Sequence, residues 1–217
     1  MVRTACWVRG DFYDVTLIET GQNAFLIGDV SGHGMAAALI SAWILGYVRK
    51  SKAAYPEPPH LLGDLRLLIG ELSEEMDSDA PSCTAFYGLY DPPSRVLRYC
   101  NAGHPSPLLM DRTGQTIRPL ESQCMLIAAA TGAQCRGTQL DVEIASGSRL
   151  LLYTDGLVEV FSAAGEQSSP RRLMEQLAAV RALPAEKAAD AIIESARQFS
   201  APAGFRDDVT LLILDFH

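Results

Sequence analysis

A chain of 217 residues with 48% hydrophobic and 20% charged side chains is sized for one globular domain, or two small ones, and can bury a sizeable core. Eighteen basic against 26 acidic side chains leave a net charge of −8 with no Lys/Arg block, which argues against a grip on nucleic acid built on phosphate neutralisation. No apolar run nears the roughly 18 residues of a membrane span and no signal-peptide pattern opens the chain, so the expected location is the cytoplasm.

The chain begins almost immediately before its first motif, which leaves little room for a first strand. From Asp11 to Thr20 the pattern alternates loosely, Gly21-Gln22-Asn23 supplies turn chemistry, and Ala24 to Asp29 is apolar and strand-like. This reads as a hairpin. The start of one antiparallel strand neighbours the end of the next, so Asp11 and Asp29 are expected to meet. Met35 to Lys52 has helical composition, closed by Pro56, Pro58 and Pro59. A second helix is expected from His60 to Met76, with Leu61, Leu62, Leu65, Leu68, Ile69 and Leu72 on one face.

Cys83 to Tyr90 and Arg95 to Ala102 flank the turn Asp91-Pro92-Pro93-Ser94, and Pro107 to Asp111 precedes another turn at Arg112-Thr113-Gly114. The stretch from Glu121 to Gln134 reads as a loop. Arg149 to Thr154 is a short strand running into Asp155, Arg171 to Val180 and Ala185 to Phe199 are expected helices, and Asp208 to Phe216 is a closing strand. Successive hairpins with helix pairs between them favour antiparallel sheets covered by helices, an α+β class, over a parallel doubly wound sheet. Five cysteines, Cys6, Cys83, Cys100, Cys124 and Cys135, lack the Cys-x-x-Cys spacing of zinc or redox sites and read as reduced, mostly buried thiols.

Five segments carry the chemistry: Gly10-Asp11-Phe12-Tyr13-Asp14, Gly28-Asp29-Val30-Ser31-Gly32-His33-Gly34, Asn101-Ala102-Gly103-His104-Pro105, Tyr153-Thr154-Asp155-Gly156, and Arg206-Asp207-Asp208-Val209-Thr210. Four contain an aspartate where a strand gives way to a loop. Carboxylates gathered by folding need a compensating charge, and an oxygen-only donor set suits Mg²⁺ or Mn²⁺. In their order along nearly the whole chain the segments resemble the PP2C-type metal-dependent protein phosphatases, in the bacterial branch of stage II sporulation protein E and RsbU.

The resemblance implies a PP2C-like α/β/β/α sandwich over residues 1–217 as a single domain, the catalytic part of a longer sensor protein. It implies two divalent cations, Mn²⁺ or Mg²⁺. Asp29 would bridge both, the backbone carbonyl of Val30 would complete one site, Asp155 and Asp207 would hold the other, and Asp11 would join directly or through water. Asp29, Asp155, Asp207 and Asp11 would then be catalytic through a metal-activated water that attacks phosphorus in line. The implied substrate is a phosphorylated anti-sigma-factor antagonist, with a regulatory domain or partner protein controlling the enzyme.

Other residues have narrower readings. Arg9, beside Asp11, is a candidate substrate-binding residue for phosphate against a plain surface salt bridge. Asp14 and Asp208 read as supporting or surface residues, and His33 as a solvated loop residue. Gly32 and Gly34 read as backbone freedom near metal and phosphate, or as ordinary loop glycines. His104 stands where eukaryotic relatives carry an Asp tied to a third metal, which counts against that site here. A binding module without turnover and a small-molecule phosphoesterase are the competing functions; intact metal aspartates argue against the first.

Overall fold

The computed structural model describes residues 2–5, 10–18, 20–32, 34–50, 57–75, 81–121, 124–128 and 138–217. Arg9, His33, Cys6 and Cys135 lie outside them. Eleven strands and four α-helices are found among the described residues, and backbone contacts sort the chain into two compact units. Unit one gathers residues 1–7, 105–120 and 145–217; unit two gathers 8–104 and 121–144.

Unit two is built on the strands β2 (Asp11–Leu17), β3 (Asn23–Val30), β4 (Ser82–Asp91), β5 (Val96–Ala102) and β9 (Leu140–Glu143), antiparallel in that order, with β8 (Ile127–Ala128) paired to the start of β4. The expected hairpin is present as β2 and β3. The stretch expected as a loop from Glu121 to Gln134 instead contributes β8, and Cys124 makes a bridge to Ala102. Two residues are too short a run for periodicity to register.

Helices α1 (Met35–Lys50) and α2 (Pro58–Glu75) cover one face of this sheet. Arg49 and Lys50 in the last turn of α1 complement its dipole. Pro58 and Pro59 open α2 rather than close α1, because a proline in the first turn loses no hydrogen bond and arrives with φ preset. Side-chain alternation sends Phe12, Leu26, Val30, Tyr87 and Leu89 toward the helices, where they pack with Ile40, Ile44, Val48, Leu61, Leu65 and Ile69. All six apolar α2 positions expected on one face are buried.

Unit one orders its strands β1-β11-β10-β6-β7, all antiparallel: β1 (Val2–Ala5), β11 (Val209–Asp215), β10 (Arg149–Tyr153), β6 (Leu108–Met110) and β7 (Ile117–Pro119). A first strand therefore does fit before Asp11, as an edge partner of the last strand, a pairing with no local signal. Helices α3 (Pro170–Ala179) and α4 (Ala185–Phe199) supply Leu173, Leu177, Ala188, Ala189 and Ile192 to a core with Leu151, Tyr153, Leu211 and Ile213. The Ser169 side chain caps α3 by accepting from the Arg172 amide.

An ion pair between a buried arginine and a partly exposed aspartate ties the far end of β10 to β11. Arg149 and Asp215 face each other in register, with Nε to Oδ1 at 2.6 Å and Nη2 to Oδ2 at 2.9 Å, and Nη2 also donates to the Leu183 carbonyl. The fork leaves the guanidinium satisfied at 5% exposure. The opposite ends of the same two strands run into Asp155 and Asp207.

Candidate active site

The four aspartates of interest come as two pairs, one in each unit. In unit two, the β2–β3 register sets Asp11 directly opposite Asp29, and the β3–β4 register sets Thr84 on the other side of Asp29. Opposed residues on antiparallel strands share a face with Cβ atoms about 5 Å apart. Asp11, Asp29 and Thr84 therefore form one polar row on the face turned away from α1 and α2.

Asp14 lies at the other parity of β2 and faces the helices. It is buried, accepts from Arg49 Nε of α1 at 2.9 Å and from the Thr16 hydroxyl at 2.7 Å, and is thereby committed to holding the helix to the sheet. Its contacts support the packing of α1 and not the Asp11–Asp29 pair, and it is not a surface residue.

Gly10 precedes the pair and fits it closely. A Cβ placed there would overlap the Val30 carbonyl oxygen and come within 2.6 Å of Asp29 Oδ1. Both oxygens thus converge beside the glycine, and the Val30 amide donates to the Gly10 carbonyl at 3.2 Å. Ser41 of α1 donates its hydroxyl to that same carbonyl, which ties the helix to the motif. Gly32 and Gly34 have φ of +94° and +83° with no heavy atom within 4 Å of where a Cβ would stand, so they answer to backbone conformation rather than to crowding.

Burial, and secondarily the Asp29 charge, push the Cys83 thiol up to about 12. His104 is also buried: its Nδ1 lies 2.9 Å from the Thr84 hydroxyl, and Asn101 brackets its backbone by accepting from the His104 amide and donating to its carbonyl. The third motif is therefore a closed loop that delivers an imidazole to the residue beside Asp29.

In unit one, β10 ends at Tyr153 and Asp155 opens a 3-10 turn, Asp155–Leu157. The Thr154 amide donates to the Thr210 carbonyl, and the Thr210 amide donates back to the Thr154 hydroxyl, which holds the end of β10 to the start of β11. A Cβ on Gly156 would overlap the Asp208 carbonyl oxygen, so only glycine lets the two segments touch. Desolvation, then the charge of Asp207, raise the Asp155 carboxyl above its ordinary range. Asp207 Oδ1 accepts from the Asp208 amide at 2.8 Å. Asp208 itself is buried.

Both pairs suit a hard divalent cation: their donors are carboxylate oxygens, with a main-chain carbonyl converging on the first pair and mutual repulsion raising a proton affinity in the second. Among the described residues, no group of three or more His, Cys, Asp and Glu side chains is gathered to hold a metal. Cys83 and Cys100 are buried, Cys124 is half-buried, and none of the three is in a disulfide. Two residues had no distinguishing signal in sequence: Gly10, whose role is a matter of space, and Arg206, whose guanidinium sits over the Phe161 ring at 5.4 Å.

Two antiparallel sheets and four helices with this connectivity define a PP2C-type phosphatase fold. The SiaA-PP2C domain of Pseudomonas aeruginosa superposes on the whole chain, covering 85% of that domain, with a TM-score of 0.86 at 21% identity. A chain of SpoIIE from Bacillus subtilis that holds its PP2C phosphatase domain and a fragment of its regulatory domain does so over 63% of its length, with a TM-score of 0.79 at 15% identity. The model of the stage II sporulation protein E (SpoIIE) family matches residues 19–217, and the chain belongs to that family. The phosphoserine phosphatase RsbP of Bacillus subtilis is 29% identical over 159 residues, which is 70% of this chain and 37% of RsbP. The chain thus spans about a third of the length of that relative. No helix among the described residues is long and apolar enough to cross a membrane.

Proposed function

We propose that the protein is a Mn²⁺- or Mg²⁺-dependent serine/threonine phosphoprotein phosphatase acting through a cation-activated water. The observation that carries this reading is the register of Asp11 against Asp29, with the Val30 carbonyl and Asp29 Oδ1 converging beside Gly10. Asp11, Asp29 and the Val30 carbonyl, together with Asp155 and Asp207, are the proposed ligands. When bound, two such cations lower the pKa of water enough to supply a nucleophile at neutral pH and offset phosphoryl charge. The presence of magnesium with RsbX, which has the same fold at a TM-score of 0.64, supports the cation class.

The chain's own residues prepare this chemistry. Asp29 lies in register between paired strands on both sides, so its carboxylate is presented without a loop to order. The Asp208 amide occupies one oxygen of Asp207 and orients the carboxylate. Cys83 pairs with Val30 and packs into the core beneath the helices, on the face opposite the carboxylate row, so the proposed route is direct attack by water without a covalent phosphoenzyme. Arg9 is retained as a candidate phosphate contact.

The substrate class we propose is a phosphorylated anti-sigma-factor antagonist, with a regulatory domain or partner protein, in a cytoplasmic partner-switching pathway. The chain would form the catalytic part of a longer sensor protein; its similarity to a third of RsbP is consistent with that. Purified protein should release p-nitrophenol from p-nitrophenyl phosphate only with Mn²⁺ or Mg²⁺ added, and phosphate from a phosphoserine antagonist protein faster than from nucleotides. Turnover in excess chelator would overturn the metal reading; metal-dependent binding of the antagonist without turnover would make the protein a binding module.

A further inference from the structure

We propose that Arg206 is a substrate-phosphate residue, a role that rests on the phosphatase reading and adds to it a group on the second aspartate pair. Arg206 directly precedes Asp207 and is exposed. Its guanidinium makes no hydrogen bond or ion pair among the described residues, although Asp207 and Asp208 follow it in the chain and Asp155 lies on the segment that they touch. An exposed arginine beside three carboxylates would ordinarily pair with one of them. Here Asp207 Oδ1 is engaged by the Asp208 amide, and the guanidinium lies over the Phe161 ring instead.

Phe161 lies six residues beyond Asp155, just past the 3-10 turn, and bridges to Gln167 across the turn Ser162–Glu166. The Arg206–Phe161 contact therefore joins the same two segments that carry Asp155 and Asp207. A ring under the flat face of a guanidinium fixes its plane while leaving the N–H edges free. Those edges form the two-pronged donor that matches a phosphate dianion, and the neighbouring aspartates do not consume them. Cations held by the aspartates would remove the local negative charge that otherwise disfavours a phosphate there. Arg172 over Phe199, at 4.1 Å, makes the same kind of contact on α3 without an acidic pair beside it, and serves as an internal control.

The test uses the whole chain with Mn²⁺ present and four variants: Arg206→Ala, Arg206→Lys, Phe161→Leu and Arg172→Ala. Steady-state kinetics on a phosphoserine peptide and on p-nitrophenyl phosphate are combined with inorganic phosphate binding by calorimetry and with thermal melting. Arg206→Ala is expected to weaken phosphate binding and raise KM for both substrates by about ten- to a hundredfold, the loss of a charged hydrogen bond, with a smaller change in kcat. Arg206→Lys should recover part of this, and Phe161→Leu, which keeps the cation but loosens it, should cost about threefold. Arg172→Ala should leave all three quantities at wild-type values. Unchanged phosphate affinity in a folded Arg206→Ala protein would overturn the inference, and so would an effect confined to the peptide. If Arg206→Ala weakened phosphate binding in a protein whose wild type hydrolysed nothing, this inference would stand while the phosphatase reading fell.

Discussion

The two aspartate pairs have the same chemistry and different foundations. Asp11 and Asp29 sit on adjacent strands inside a ladder that continues from Asn23 to Val30 on β3, so the position of each carboxylate follows from register. Asp155 and Asp207 sit just beyond the ends of β10 and β11, where two threonines knot the backbone and Gly156 admits the Asp208 carbonyl. The first pair is fixed by regular hydrogen bonding, the second by one close approach. A one-residue slip of register would turn Asp29 to the helix face, whereas a single methyl at position 156 would part the second pair. The strand pair should be the more tolerant of loop substitutions and the turn pair the more sensitive to them.

The largest expected effect removes a ligand charge. Asp29→Asn and Asp155→Asn should each lower Mn²⁺-dependent kcat/KM by three orders of magnitude or more, about 4 kcal/mol of transition-state stabilisation, while the circular dichroism spectrum stays native. Near-wild-type turnover in either variant at saturating Mn²⁺ would remove that residue from the ligand set and break the equivalence of the pairs. Next in size is Gly156→Ala, where relief of the overlap with Asp208 requires backbone movement and should cost about 2–4 kcal/mol in urea unfolding. An unchanged unfolding midpoint would mean that the segments separate easily.

Asp14→Ala sharpens the contrast within one strand. It leaves Arg49 without its partner, and because Arg49 is itself 57% exposed the expected loss is about 1 kcal/mol of stability, with activity retained. A loss of activity as large as that of Asp29→Asn would show that the parity argument separating Asp14 from Asp11 is wrong.

The smallest effect concerns charge repulsion in the metal-free protein. The Asp155 carboxyl is raised in the folded state, so folding with a charged Asp155 carries a penalty above that raised value. The contribution is favourable at low pH and is lost as pH rises through the folded pKa. Asp155→Asn should therefore melt slightly higher than wild type in chelator at pH 7, and the difference should shrink as pH falls below the folded pKa. An equal or lower melting temperature at pH 7 would indicate that Asp207 and burial do not strain the pair.

The strand-built pair was legible in sequence because turn chemistry at Gly21-Gln22-Asn23 fixes the hairpin and antiparallel geometry then brings Asp11 to Asp29. The five buried leucines and one isoleucine on the face of α2 were legible for a similarly local reason, their helical period. Non-local pairings were not: β1 adds to β11 across the whole chain, and β8 finds β4 with only two residues. Pro58 and Pro59 were misassigned because a proline ends one helix and starts another with equal ease. The roles of Gly10 and Gly156 depend on which atoms come close in three dimensions, and the Arg206–Phe161 contact joins residues 45 apart in the chain.

The central claim is that both pairs bind the cations that drive hydrolysis, and it is tested most directly by Mn²⁺ titration calorimetry of metal-stripped wild type, Asp29→Asn and Asp155→Asn, read beside turnover at each Mn²⁺ concentration. Wild-type turnover should rise with Mn²⁺ occupancy, and each substitution should weaken Mn²⁺ binding at least tenfold and abolish that rise. Wild-type Mn²⁺ affinity in both variants, or wild-type turnover that is indifferent to Mn²⁺ and Mg²⁺, would contradict it.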